Sequence, residues 1–266
     1  MVASPAMRPP DPASLAGALR ANTTDGAAVL ARQAIALLRD YVARAPTDGL
    51  HAATADCADV LGQARPEMAA VGNLVRCWQD LFAWPDVDFR ASALAHCDAV
   101  LDRAERALEE TVGNARARLA GIPADSVVLT HSASSTVRAT VSGLPIRLLV
   151  TASEPGGEGR RFAAEVGAHC LEDDEGPGAA ARAAALIVGA DAIGAEAFVN
   201  KVGTRVLGEA AQRAGTPFYV VAESYKWLPP TQALIAGGAF EAVPNALVTA
   251  FLCDATPGVS FRPLGG

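Results

Sequence analysis

The sequence lacks a long hydrophobic run, since no stretch reaches the about 18 consecutive apolar residues of a membrane-spanning helix. Its proline-rich first residues also lack the apolar segment of a secretory signal peptide, so we expect residues 1–12 to form a flexible arm. Together these absences exclude a membrane partner and predict a cytoplasmic protein.

A basic stripe is also missing. The chain has 22 Lys and Arg residues against 29 Asp and Glu residues, which gives a formal net charge of −7. Proteins that bind nucleic acids concentrate positive charge on one face, where it meets the phosphate backbone. The sequence therefore predicts no nucleic-acid partner, and an acidic, mixed surface favours solubility.

Cysteines are few. Their odd number, five, their wide spacing and the absence of a CxxC pair argue against a disulfide framework and a structural zinc site, so we expect reduced, buried thiols. The histidines at positions 51, 96 and 169 are too scattered to form a metal site. Neither a GxGxxG fingerprint opening a helix nor a Walker spacing is present. The sequence thus predicts no metal and no cofactor.

Residues 13–120 have the apolar periodicity of helices, for example along Leu30–Tyr41. Short polar side chains that can cap a helix start stand at Ser14 and at Thr24 or Asp25. We therefore expect a helical domain over this range. Beyond the two capped helices, the expected helices are Gly49–Leu61, Pro66–Phe82 and Phe89–Leu119.

The pattern changes at residues 121–266, where short apolar runs alternate with helical segments. Continuous apolar strands are buried on both faces, which is typical of a parallel sheet covered by helices. The sequence therefore predicts an α/β protein, in which an N-terminal helical subdomain precedes a Rossmann-like, doubly wound parallel sheet. The expected strands are Val127–Thr130, Ile146–Thr151, Ala185–Gly189, Pro217–Ala222 and Ala246–Cys253. The expected helices of this domain are Ser134–Ser142, Glu158–Val166, Gly178–Ala184 and Val202–Ala214.

Polar residues follow the expected strands, at the sheet edge where such folds bind ligands. The first cluster precedes a helix whose N-terminal N–H groups attract anions, although its hydroxyls can equally serve only to cap that helix. A carboxylate at Asp191 can act as an acid or base, or can simply close a turn. The candidate residues of the first cluster are Thr130, His131, Ser132, Ser134 and Ser135.

Two further clusters contain lysines. Asn200, Lys201 and Gly203 precede a helix, where lysine supplies a point charge and glycine lets a phosphate approach the backbone. Glu223–Lys226 follows another strand. Each cluster has an alternative interpretation. The first can be an ordinary helix start, and the second can be a solvated loop. We predict that all of these clusters lie at one edge of the sheet and form one site.

The same segments resemble a known family. Leu129–Val137 (LTHSASSTV) is similar to a segment of the translation initiation factor 2B alpha, beta and delta subunits. Leu186–Asp191 (LIVGAD), Val199–Thr204 (VNKVGT), Pro217–Lys226 (PFYVVAESYK) and Pro244–Thr249 (PNALVT) resemble further family segments in matching order. The chain is therefore identified as a member of the superfamily that also contains methylthioribose-1-phosphate and ribose-1,5-bisphosphate isomerases.

The resemblance implies which residues would carry chemistry. Asp191, Asn200 and Lys201 match the acid–base and substrate-binding residues of the isomerases. Ser132 stands where those enzymes have a catalytic cysteine, and a serine hydroxyl is a far weaker acid than a thiol. Asp25–Gly26 stands at a phosphate-binding Arg-Gly pair and Glu154 at an arginine, so two cations of the isomerases are replaced by carboxylates.

Three functions follow from this mixture. The leading hypothesis is an initiation factor 2B-like homodimer that binds a phosphorylated small molecule, either a sugar phosphate or a nucleoside monophosphate, without isomerase activity. The first alternative is a divergent intramolecular aldose–ketose isomerase of a phosphorylated pentose, in which Asp191 is the proton shuttle and Ser132 or His131 its partner. The second alternative is a purely structural assembly subunit.

Overall fold

The computed structural model describes residues 10–80 and 88–255. The chain divides into two compact units, of which the first ends at Glu105 and the second begins at Arg106. We expected a flexible arm over residues 1–12, of which residues 1–9 lie outside the described residues. Residue Pro12 already begins the first helix.

The first unit is helical, as predicted. Its first helix is capped by Asp11, whose side chain accepts a hydrogen bond from the Ser14 amide, so Ser14 lies inside the helix and is not its cap. Gly26 occupies the N-cap position of the second helix, so neither Thr24 nor Asp25 caps it. The described helices are α1 Pro12–Ala21, α2 Ala27–Arg44, α3 Leu50–Gly62, α4 Ala69–Gln79 and α5 Phe89–Leu119, the last of which continues into the second unit.

Apolar faces hold the first unit together. The predicted stripe of α2 is buried at Leu30, Ala34, Leu38 and Tyr41, and α2 packs against α4. Burial of such side chains is the main stabilising term of a helical unit. None of the helices in residues 10–80 and 88–255 combines the length and the apolarity needed to cross a membrane.

The second unit contains the predicted parallel sheet. Within the described residues it has six parallel strands, in the order β3-β2-β1-β4-β7-β9. The direction of winding reverses between β1 and β4, and such a switch point opens a crevice at the carboxyl ends of the strands. The strands are β1 Val127–His131, β2 Arg147–Thr151, β3 His169–Leu171, β4 Ala185–Val188, β7 Phe218–Val221 and β9 Ala250–Leu252.

Helices cover both faces of this sheet, which confirms the doubly wound architecture. One face packs against residues of α8 and α9, and the other against α6 and the end of α5. Along β4, Leu186 and Val188 face the first layer while Ala185 and Ile187 face the second. The helices of this unit are α6 Ser135–Val141, α7 Glu158–Val166, α8 Gly176–Ala180 and α9 Thr204–Ala214.

A second, antiparallel sheet was not predicted. It consists of β5 Ala192–Ile193, β6 Ala197–Lys201 and β8 Phe240–Pro244, with β6 in the middle. Asn200 and Lys201 therefore end a strand of this small sheet, and the prediction that their cluster follows a strand of the parallel sheet is wrong. The predicted strand Ala246–Cys253 is also too long, since a 3₁₀ turn covers Asn245–Leu247 before β9 begins.

Candidate functional site

The turn that follows β1 is built from two serines. Ser132 and Ser153, which follow β1 and β2, both have left-handed backbones, with φ values of 66° and 64°. The Ser132 amide donates to the Ser153 hydroxyl oxygen at 2.8 Å, which ties the ends of two adjacent parallel strands together. Non-glycine residues adopt this conformation at a cost of about 1–3 kcal/mol, and such residues cluster at functional sites.

His131 is buried and both of its ring nitrogens are engaged. Its Nε2 lies 2.9 Å from the Val202 carbonyl oxygen and its Nδ1 lies 2.5 Å from the Thr151 hydroxyl. Because the carbonyl can only accept, Nε2 donates to it and Nδ1 accepts from Thr151. Burial lowers the pKa of His131, which favours the neutral ring. These bonds make His131 a link between β1, β2 and the segment after β6, rather than a base for Ser132.

Lys201 reaches the same turn through a carboxylate. Its Nζ lies 2.7 Å from Glu158 Oε1, and the Ser132 hydroxyl donates to the same oxygen at 3.2 Å. Lys201 is buried, whereas Glu158, the first residue of α7, keeps 18% of its side chain exposed. The structure thus joins the predicted residues Ser132 and Lys201 through Glu158, which the sequence did not single out.

Lys226 forms a second buried ion pair, with Glu223, which lies two residues after the end of β7. Nζ of Lys226 lies 2.9 Å from Oε2 of Glu223, whose other oxygen accepts from the Thr136 hydroxyl at 2.7 Å. Burial raises the pKa of Glu223, but the charge of Lys226 and the two hydrogen-bond donors outweigh it, so the pKa lies below its usual range. Glu223 is therefore a carboxylate, and it ties α6 to the end of β7.

These two residues are the only lysines of the chain, because Lys201 and Lys226 stand beside 20 arginines. Lysine supplies a compact point charge, whereas arginine presents a larger, planar guanidinium group. Both lysines fall within the candidate clusters, and this composition was the available signal that a lysine has a specific role at these two positions. It does not indicate Glu158 or Glu223 as their partners.

The other predicted residues of the β1 segment have local roles. Thr130 is buried within β1, and Ser135 begins α6. The Ser134 hydroxyl accepts from the Val137 amide at 3.3 Å and caps α6, as the alternative interpretation proposed. A Cβ atom at Gly189, which follows β4, would lie only 2.7 Å from Ser134 Oγ. The ends of β1 and β4 are therefore closely packed at this point.

Asp191 also follows β4, and its backbone amide donates to the Val199 carbonyl at 2.9 Å. Because β1 and β4 are adjacent and parallel, Asp191 and Ser132 follow strands that end at the same edge of the sheet. Asn200 donates to the Thr204 hydroxyl at 3.0 Å, which holds the start of α9. Gly203 lies against the His131 ring, since a Cβ atom there would lie 3.0 Å from Cε1.

Glu154 and Asp25, which the sequence resemblance predicts to stand at cation positions of the isomerases, have local partners. Glu154 accepts from Arg160 Nε at 3.2 Å, and Arg160 also pairs with Glu172. In the first unit, Asp25 accepts from the Asn22 side-chain amide at 2.8 Å. Both residues are exposed, and neither is a positive charge that could bind phosphate directly.

Comparison with known sequences identifies the relatives of this chain. Residues 23–235 match the sequence model of the Initiation factor 2 subunit family. A translation initiation factor eIF-2B subunit 2-like protein of Pyrococcus furiosus is 32% identical over 176 residues, which are 62% of this chain. The match spans only 60% of that relative's length.

Solved structures share the fold. The crystal structure of a Pyrococcus horikoshii translation initiation factor eIF-2B has a TM-score of 0.79 at 24% identity and covers 92% of this chain and 96% of its own. The tetrameric eIF2B-beta2-delta2 complex of C. thermophilum has a TM-score of 0.67 at 19% identity. The match covers 91% of this chain and 88% of the chain in that structure. The 5-methylthioribose 1-phosphate isomerase of P. horikoshii has a TM-score of 0.69 at 18% identity. The match covers 92% of this chain and 83% of the isomerase chain.

Proposed function

Because the chain belongs to the Initiation factor 2 subunit family, we propose that it binds a phosphorylated metabolite, a sugar phosphate or a nucleoside monophosphate, at the carboxyl edge of its parallel sheet. We propose further that it does not isomerise that metabolite. Two family relatives represent the alternatives, since the fold is shared by eIF2B subunits and by an isomerase. The chemistry at the end of β1 favours the first.

The observation that carries the proposal is the hydrogen-bonded cluster of Ser132, Glu158 and Lys201. It offers a hydroxyl donor and an ammonium group, and both can bind phosphate oxygens. It does not offer the thiol of the isomerases, and His131 is not a base for Ser132, because both of its ring nitrogens are engaged.

No described cysteine compensates for the missing thiol. Cys57, Cys77 and Cys97 belong to the first unit, and burial raises the pKa of each to about 12. Cys170 and Cys253 lie in β3 and after β9, and burial raises the pKa of both. A protonated thiol is a poor base and a poor nucleophile. The described residues therefore favour binding without thiol-dependent catalysis.

The proposal is tested first by binding. Calorimetric titration with a panel of sugar phosphates and nucleoside monophosphates is expected to identify a ligand, and Lys201→Met is expected to weaken its binding by about 10- to 100-fold, the scale of a lost charged hydrogen bond. Arg205→Met is the matched control, because Arg205 is exposed and pairs with Glu209 on the surface of α9. Equal dissociation constants for the wild type and Lys201→Met would contradict the role of Lys201.

The second arm of the same test is turnover. The wild type is expected to form no ketose from methylthioribose 1-phosphate or ribose 1,5-bisphosphate. The isomerase alternative has one observation in its favour, since Asp191 and Ser132 follow adjacent strands at one edge. Turnover on the order of 1 per second, abolished by Asp191→Asn, would establish that alternative with Asp191 as the proton shuttle.

We also propose that the protein is a cytoplasmic homodimer. The support is the family, in which a structurally similar chain forms a tetrameric complex. Light scattering at micromolar concentration is expected to give twice the chain mass of 27.2 kDa. A monomer at that concentration would contradict the dimer and would leave the binding proposal intact.

A further inference from the structure

The position that an anion would occupy on Lys201 is already filled. Glu158 Oε1 lies 2.7 Å from Lys201 Nζ, a direct ion pair, and the same oxygen receives the Ser132 hydroxyl. Both donors that the proposed phosphate would use are thus directed at one carboxylate. The pair is shielded from solvent, because only 5% of the Lys201 side chain is exposed.

A phosphate cannot join this pair without a large electrostatic cost. A phosphate placed on Lys201 beside Glu158 would put two anions on one ammonium group, and their repulsion is weakly screened where water is scarce. Exchange is different, because one anion then replaces another and the charge of Lys201 stays balanced. The ammonium group therefore accepts either Glu158 or the ligand.

Glu158 is the partner that can move. Its side chain is 18% exposed against 5% for Lys201, so it can turn towards water with a smaller change in solvation. Glu158 is the first residue of α7, and its backbone need not shift, because rotation of the side chain alone moves the carboxylate away from Lys201. Lys201, by contrast, ends β6 and lies within the fold.

We infer that Glu158 is a displaceable counter-ion that sets the affinity and selectivity of the site. An anionic ligand takes its place on Lys201, and the Ser132 hydroxyl turns from Glu158 to the ligand. A neutral polyol gains nothing from this exchange and leaves the ion pair in place. The inference rests on the proposed function and names the residue that regulates it.

The experiment uses the fact that the chain has two lysines. Protein with ¹³C-labelled lysine gives signals from two ε-methylene groups, which are assigned with Lys201→Arg and Lys226→Arg. Inorganic phosphate and ribose 5-phosphate are titrated at constant ionic strength set with chloride, and ribose serves as the neutral probe. The proteins are the wild type, Glu158→Gln and Glu158→Asp. Glu209→Gln is the control, because it removes the same charge from an exposed pair on α9.

For Glu158→Gln we expect the dissociation constant of both phosphates, read from the Lys201 signal, to fall by roughly 10- to 100-fold because a competing charge is gone. Glu158→Asp, whose shorter side chain loosens the pair, is expected to give a smaller gain, and it replaces Glu158→Gln if that variant does not fold. Glu209→Gln and the response to ribose are expected to stay unchanged.

Two results would overturn the inference, and they differ. Weaker or equal phosphate binding by both Glu158 variants, with binding by the wild type intact, would show that Glu158 does not compete, and the proposed function would survive. A Lys201 signal that responds to no phosphate in any of the proteins would refute phosphate binding at this site, and the inference would fail with it.

Discussion

Replacing Lys226 by methionine is expected to lower the free energy of unfolding by about 3–5 kcal/mol, the cost of leaving one partner of a buried ion pair uncompensated. Glu223 is completely buried, and its pKa lies below the usual range because Lys226 and Thr136 stabilise the carboxylate. Without the ammonium group this carboxylate must stay charged in an apolar setting or take up a proton. Urea denaturation at neutral pH measures the loss.

The double variant Glu223→Gln/Lys226→Met separates the charge effect from packing. It removes both charges and is expected to recover most of the stability, since a neutral pair carries no uncompensated charge. Arg205→Met breaks the exposed Arg205–Glu209 pair and is expected to cost about 1 kcal/mol or less. A loss below 1 kcal/mol for Lys226→Met alone would mean that water reaches Glu223 in solution.

Gly159→Ala is expected to destabilise the protein by about 3 kcal/mol, at the upper end of typical overpacking. Gly159 lies in the first turn of α7, and a Cβ atom there would lie 1.8 Å from the Thr151 carbonyl oxygen and 2.8 Å from Ser153 Oγ. Backbone cannot yield as a flexible side chain does, so α7 must move away from β2. Glu158, the preceding residue, moves with it, so the Lys201 signal should also change.

Gly113→Ala is the matched control. Gly113 lies in α5, and an added Cβ atom would meet nothing within 4 Å. Alanine is favoured over glycine in a helix, so this variant is expected to gain about 0.5–1 kcal/mol. Thermal and urea unfolding of both variants provide the comparison. Equal effects of the two substitutions would contradict the close contact between α7 and β2.

Much of this fold could be predicted because its elements follow local rules. The strands β1, β2, β4 and β7 lie within continuous apolar runs, and burial on both faces of a parallel sheet requires such runs. Helices α5 and α7 begin and end at the predicted residues. Strand β6 was missed because it ends in Asn200 and Lys201, whose polar side chains suggested a loop before α9.

The candidate site could be predicted only in part, for a physical reason. Ser132 and Lys201 stand at the ends of strands, and strand ends can be located from the pattern of apolar residues. Glu158 comes from a different βα unit, and only the tertiary fold brings it to within 2.7 Å of Lys201. Ion-pair partners distant in sequence leave no periodic signal, so the neutralisation of Lys201 by Glu158 was not expected.

The burial of both lysines also has a consequence for chemical handling. Amine-reactive esters attack uncharged, accessible amines, and the described structure encloses both ε-amino groups in ion pairs. In the folded state both lysines are therefore expected to react slowly with such esters. An endoproteinase that cuts after lysine would have two possible cleavage positions, and cleavage at both would report unfolding of the α/β unit.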